Sequence, residues 1–255
     1  MKQIESKNGK KMLIFDDKDN LCPYCSYPLS EDENPKFKNQ CFTCNSVAKA
    51  IREAPDGSLM KNIQIHPYPF EKIICIGKYY KLKESLKESD PAHFLSLCLI
   101  HYKNDPYNLN FFSNLLKQKI KNFIDKNNLK KKDIIICGIP DLESKNHKKI
   151  DLLCNEISKK IKIPYIQVIE KIKDIPPQKK REKIQERYEN VFGAYVLKEE
   201  YKEKIKKKIV FLIDDIVSTM ATSYECSKIL KENGAKKVYI FALGRNIFIP
   251  PEKKK

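Results

Sequence analysis

Short runs of apolar, largely β-branched residues alternate along this chain with longer amphipathic stretches. The runs at 73–76, 133–139, 164–168, 209–213 and 238–243 predict strands buried in a sheet, and 12–15 predicts a further short one. Between them the period lengthens to that of a helix. Asp90-Pro91 supplies an N-cap followed by proline at the first helical position, starting a helix that runs to about His101. Residues 108–127 carry Phe112, Leu115, Leu116, Ile120, Phe123 and Ile124 on one stripe. Ile150, Leu153, Ile157 and Ile161 mark another helix face. A last helix, about 221–233, is closed by Gly234, which is free to take a positive φ. Repeated strand–loop–helix units predict an α/β domain on a parallel sheet.

The most informative stretch runs from Val210 to Thr222. Adjacent carboxylates, Asp214 and Asp215, end its apolar run. Ser218, Thr219, Met220, Ala221 and Thr222 follow, and the helix begins. This order sets a loop of backbone N–H groups at a helix N-terminus, just beyond the carboxyl end of a strand, where phosphate binds readily. Carboxylates suit a diol, and amides at a positive helix end suit a dianion. A capped helix with two solvated acids is the plain alternative.

Near the N-terminus two Cys-x₂-Cys knuckles, Cys22/Cys25 and Cys41/Cys44, are separated by fifteen residues. That spacing predicts a structural zinc site, because each knuckle offers two thiolates and four complete a tetrahedral shell with no open position. A module this small buries little core, so the metal supplies much of its folding energy. The remaining cysteines, Cys75, Cys98, Cys137, Cys154 and Cys226, lie in apolar contexts and read as inert buried thiols. His66, beside Pro67, reads as a surface or turn residue. The expected division is a zinc-ribbon module with its linker over 1–60 and the α/β domain over 70–255.

The stretch 213–222 resembles the 5-phosphoribosyl 1-pyrophosphate (PRPP) motif of type I phosphoribosyltransferases, with Met220 where that family carries glycine. The resemblance implies a Rossmann-like parallel sheet, ribose hydroxyls on Asp214 and Asp215, and the 5′-phosphate on the loop 218–222. It also implies magnesium bound with PRPP, and a pyrophosphate loop after the 133–139 strand. There Cys137, Gly138, Lys145, His147 and Lys148 are the candidates, although the same polar segment suits a solvated loop equally. The Gln178…Arg187-x-x-Asn190-Val191-x-Gly193-Ala194 pattern, with the four-cysteine module, is similar to the ComF branch, the competence-associated members of that family. Departures from that branch are Met220 and a pyrophosphate segment, 141–146, that is not Arg-Gly-rich. Gln178, Arg187 and Asn190 then fall in an insert, 170–205, expected to act as a mobile lid. The family likeness implies ribose 5-phosphate transfer to an unidentified acceptor, with competence proteins as partners. A non-catalytic PRPP-sensing or DNA-binding adaptor on the same fold is the other class.

Composition narrows this less than it first suggests. The formal charge is +17, but all except four of the 50 basic residues are lysine. Solvated lysine faces account for such a bias, and weak nucleic-acid binding is the functional alternative. No stretch approaches the ~18 apolar residues of a membrane span, and the first residues lack the apolar core of a secretory signal. A cytoplasmic setting is the expectation.

Overall fold

The computed structural model describes residues 1–6, 9–29, 41, 44, 68–81, 86–87, 89–101, 106–140, 149–173, 175 and 184–247. The candidates Lys145, His147, Lys148 and Gln178, with His66 and the linker around it, lie outside the described residues. The chain opens with a hairpin in which β1 (Lys2–Glu5) pairs antiparallel with β2 (Lys11–Ile14). Strand β3 (Lys72–Tyr79) follows, then helices α1 (Pro91–His101) and α2 (Pro106–Lys126). Asp90 caps α1 as expected, its Oδ1 accepting the Ala92 N–H at 2.8 Å. Strand β4 (Ile134–Gly138) leads to α3 (Lys149–Ile161). Strands β5 (Ile169–Lys171) and β6 (Tyr195–Leu197) pair antiparallel on either side of α4 (Ile184–Val191) in the chain. A single turn, α5 (Lys202–Ile205), precedes β7 (Ile209–Val217), α6 (Ala221–Glu232) and β8 (Lys237–Asn246).

The main sheet has the order β3-β8-β7-β4, and every pairing in it is parallel. Alternate residues of its strands feed two apolar layers. Cys75, Val210, Leu212, Ile240 and Ala242 face α4, α6 and the four knuckle cysteines. Ile76, Phe211, Ile213 and Phe241 face α1, α2 and α3, where Met12 and Ile14 of the hairpin join them. Each such side chain, fully buried, contributes about 1.5–3 kcal/mol. Burial on both faces is why these strands read as unbroken apolar runs.

Near the carboxyl ends the in–out alternation misses a beat in three strands at one level, Gly77, Gly244 and Ile216 being paired in register. Ile76 and Leu243 already face the α1 layer. A Cβ on the following Gly77 would meet Leu95 Cδ2 at 2.7 Å, and one on Gly244 would meet Leu99 Cδ1 at 3.0 Å. Glycine at both positions lets α1 approach the sheet closely. The next residues along, Val217 and Arg245, turn to the cysteine side.

Two expectations need correcting. Strand β7 does not stop at the acid pair but continues to Val217, because β8 is long enough to pair with it through Ile216↔Gly244 and Val217↔Arg245. The 164–168 segment forms a single bridge, Ile136↔Tyr165, in place of a strand. Pro164 has no N–H to extend the ladder. Gln167 instead turns its side chain onto Gly138, and the strand follows at Ile169.

Candidate anion-binding site at the end of the central strand

Asp214 and Asp215 sit half-buried in the carboxyl half of β7. Each carboxylate is steadied by the next amide: Asp214 Oδ1 accepts the Asp215 N–H at 2.8 Å, and Asp215 Oδ1 accepts the Ile216 N–H at 2.6 Å. Both remain partly accessible at the carboxyl end of a central parallel strand, the edge at which open α/β sheets bind ligands.

The loop that follows is held by its carbonyls. Arg245 Nη1 donates to Val217 O at 2.9 Å and to Ser218 O at 2.6 Å, and the Tyr188 hydroxyl donates to Thr219 O at 3.1 Å. In a trans peptide the N–H points opposite to the C=O. Three consecutive carbonyls held toward the core therefore turn the amides of Ser218, Thr219 and Met220 the other way. No hydrogen bond from these three amides occurs among the described residues. They adjoin the N-terminus of α6, whose first turn has neither a side-chain cap nor an acid. Successive amides at a positive helix end form an anion cradle.

Met220 sits at φ 65°, ψ 6°, in the left-handed region. Glycine adopts such an angle without the penalty a Cβ brings. The side chain itself is 2% exposed and belongs to the apolar cluster on the cysteine side of the sheet. Ala221 is buried beside it, and Thr222 is half-buried.

Polar groups converge on Ser218. Its Oγ accepts from Arg187 Nη1 at 3.3 Å and from Asn246 Nδ2 at 3.1 Å. Burial lowers the Arg187 pKa from its ordinary value. Asn190 lies half-buried one turn further along α4. The described part of the 170–205 insert is well packed: Tyr188 meets Tyr224 edge-on at 5.6 Å, and the buried Glu225 accepts the Gly193 N–H at 2.9 Å. Arg187 thus reaches the loop from an element packed against α6.

The end of β4 is built differently. Gln167 Oε1 accepts the Gly138 N–H at 3.1 Å, and Gln167 Nε2 donates to Gly138 O at 3.1 Å. The Tyr165 hydroxyl donates to Asp151 in the first turn of α3 and to Gln167 Oε1 at 3.0 Å. Cys137 is fully buried, and burial pushes its thiol up to about 12. Burial also raises Cys75, Cys154 and Cys226, which keeps these thiols protonated and unreactive.

The sulfurs of Cys22, Cys25, Cys41 and Cys44 lie within 4.8 Å of one another, and all four residues are buried. Cys22–Cys44 and Cys25–Cys41 separations are 3.7 and 3.5 Å. A tetrahedron with ~2.3 Å metal–sulfur bonds has edges of about 3.8 Å, so the four donors fit a closed metal site. The Cys22 knuckle also docks on the free edge of β3, since the Ile73 N–H donates to Tyr24 O and Ser26 Oγ donates to Ile73 O. Arg245, completely buried, gives a second indication of metal. Its Nη2 donates to Cys25 Sγ at 3.6 Å, and the guanidinium lies over the Tyr27 ring at 5.3 Å. Among the described residues it has no carboxylate partner. A buried cation is costly without a nearby anion, and metal-bound cysteines are thiolates.

Sequence reasoning singled out neither Arg245 nor Tyr188 as part of the site. One signal was present for the first: it is an arginine inside an apolar strand, in a chain whose bases are almost all lysine.

No family model matches the chain, and no curated protein does. Solved structures similar to it include the allosteric regulatory enzyme of purine biosynthesis, at 17% identity over 53% of this chain, TM-score 0.35. The chain spans only 26% of that protein. A purine phosphoribosyltransferase from Pyrococcus horikoshii Ot3 is similar at 15% identity over 57% of this chain and 93% of its own, TM-score 0.34. An adenine phosphoribosyl transferase from Trypanosoma brucei, solved with AMP, pyrophosphate and ribose-5-phosphate, is similar at 16% identity over 56% of this chain and 65% of its own, TM-score 0.31. Among the described residues no helix is long and apolar enough to cross a membrane.

Proposed function

We infer that this chain is a phosphoribosyltransferase-type protein that binds PRPP at the end of β7. The observation that carries the reading is one constellation: the acid pair Asp214–Asp215, followed by three amides turned out of the core at the start of a 12-residue helix. Carboxylates accept hydrogen bonds from the ribose 2′- and 3′-hydroxyls, and the cradle takes the 5′-phosphate. Ser218 adds a hydroxyl, and Arg187 brings a cation to the same loop. Magnesium, bound with the pyrophosphate, would neutralise charge on the leaving group. The chain's own contribution is to fix the ribose and its phosphate while bond cleavage develops positive charge on the sugar, so positioning supplies much of the rate.

Within that class we place the chain with the ComF-like branch, because the cysteine module and the pattern ending in Asn190-Val191-x-Gly193-Ala194 occur together. Zinc is the metal that best suits four cysteine sulfurs in a closed tetrahedron. The buried side chain of Met220 favours a binding-competent loop over an obstructed one. Calorimetric titration with PRPP and magnesium is the test, followed by pyrophosphate release with candidate acceptors. Saturable binding at one site per chain is expected. No heat and no competition by ribose 5-phosphate would overturn the reading.

A further inference from the structure

The cysteine cluster and the 217–220 loop belong to widely separated segments of the sequence, and one side chain touches both. Arg245 donates to Cys25 Sγ through Nη2 and to the carbonyls of Val217 and Ser218 through Nη1. The guanidinium is planar and rigid, so its two ends cannot move independently. Its Nε, buried, has no partner among the described residues. Cys25 Sγ is its side-chain hydrogen-bond partner, and its other hydrogen bonds go to backbone carbonyls. The geometry it imposes is on the loop. Val217 and Arg245 are also paired in register, at the level where the alternation of the strands has shifted to face the cysteines.

We propose that Arg245 is a positioning residue through which occupancy of the metal site sets the shape of the anion cradle. This inference rests on the reading of that loop as the PRPP site. With four thiolates around a divalent metal, the cluster carries net negative charge and holds the guanidinium in place. The guanidinium then keeps two carbonyls turned inward and their amides outward. Without metal the four sulfurs are no longer held together, the Cys25 contact to the guanidinium loosens, and the loop relaxes. Binding at the two sites is reciprocal, so an anion in the cradle retards metal loss by the same factor that metal strengthens anion binding.

The test is amide hydrogen exchange on the full chain, with metal stripped by chelator and then restored as zinc. The Tyr224 amide, which donates to Met220 O at 2.8 Å, reports how the loop enters α6. In the wild type, stripping should speed its exchange at least tenfold more than that of the β4 amides, and zinc should reverse the effect. Arg245→Lys keeps the charge but lacks the fork. Metal-loaded, at full zinc content, it should already exchange fast at Tyr224, and stripping should add less than twofold beyond the change at β4. Equal effects of stripping in wild type and Arg245→Lys would overturn the coupling, as would no effect in the wild type. A PRPP titration of the metal-loaded wild type separates the two claims. Absence of binding there overturns the ligand assignment, while the exchange data still decide the coupling.

Discussion

Two strand–loop–helix units of the same sheet end in opposite ways. At the end of β4, one glutamine side chain takes both backbone groups of Gly138, and an acid, Asp151, occupies the first turn of α3. Past the acids of β7, side chains hold the 217–219 peptides only by their carbonyls, and the first turn of α6 has no acid. The first arrangement spends its polar groups on stability. The second leaves amides and positive helix-end potential for a ligand. A strand followed by a helix is therefore not enough to leave amides free; which half of each peptide the core holds decides it.

The contrast can be broken in several ways. The largest effect is expected from Cys41→Ser. Four-sulfur metal sites contribute ~10–16 kcal/mol of apparent binding energy, and losing a third of that lowers the melting temperature by roughly 10 °C or more. Because the cysteines share an apolar cluster with Phe70, Val217 and Met220, the loss should reach the β7 end and not stop at the module. Elemental analysis and thermal melting of wild type and variant check this.

Next comes Asp215→Asn. Each hydrogen bond to a charged group is worth ~1.5–3 kcal/mol, so PRPP affinity should fall roughly 10- to 100-fold with little change in melting temperature. A large drop in melting temperature with unchanged affinity would make the acid structural, as at β4. Gln167→Ala should show the mirror image. Leaving Gly138 unpaired costs ~1–3 kcal/mol of stability, while affinity of the β7 loop for inorganic phosphate should stay within about threefold. Calorimetry and melting on the same samples separate the two ends.

The smallest effect is expected from Met220→Gly. Glycine relieves ~1–2 kcal/mol of left-handed strain, but emptying a buried methionine site costs ~2–5 kcal/mol. The net change should be a modest loss of stability, with PRPP affinity within about threefold. A tenfold gain in affinity would show that the methionine obstructs the site.

From the amino-acid sequence alone, the apolar runs marked four sheet strands, because a strand buried on both faces needs continuous apolar residues. Gly234 marked the end of α6, and its φ of 92° is the reason. The acid pair and hydroxyl loop stand out in the sequence because they are consecutive, and the four clustered cysteines because two knuckles repeat a local spacing. Tertiary structure decided the rest. It carried β7 past its acids, since a strand's length depends on its neighbour. It denied 164–168 a full strand, since that segment's pairing depends on Gln167 and Gly138. It also joined the cysteines to the loop through Arg245, by a contact between strand ends and a knuckle 220 residues away. Local patterns record what a segment needs for burial and turning. Which groups of a loop are held and which are left free depends on side chains arriving from elsewhere in the chain, and no local pattern carries that.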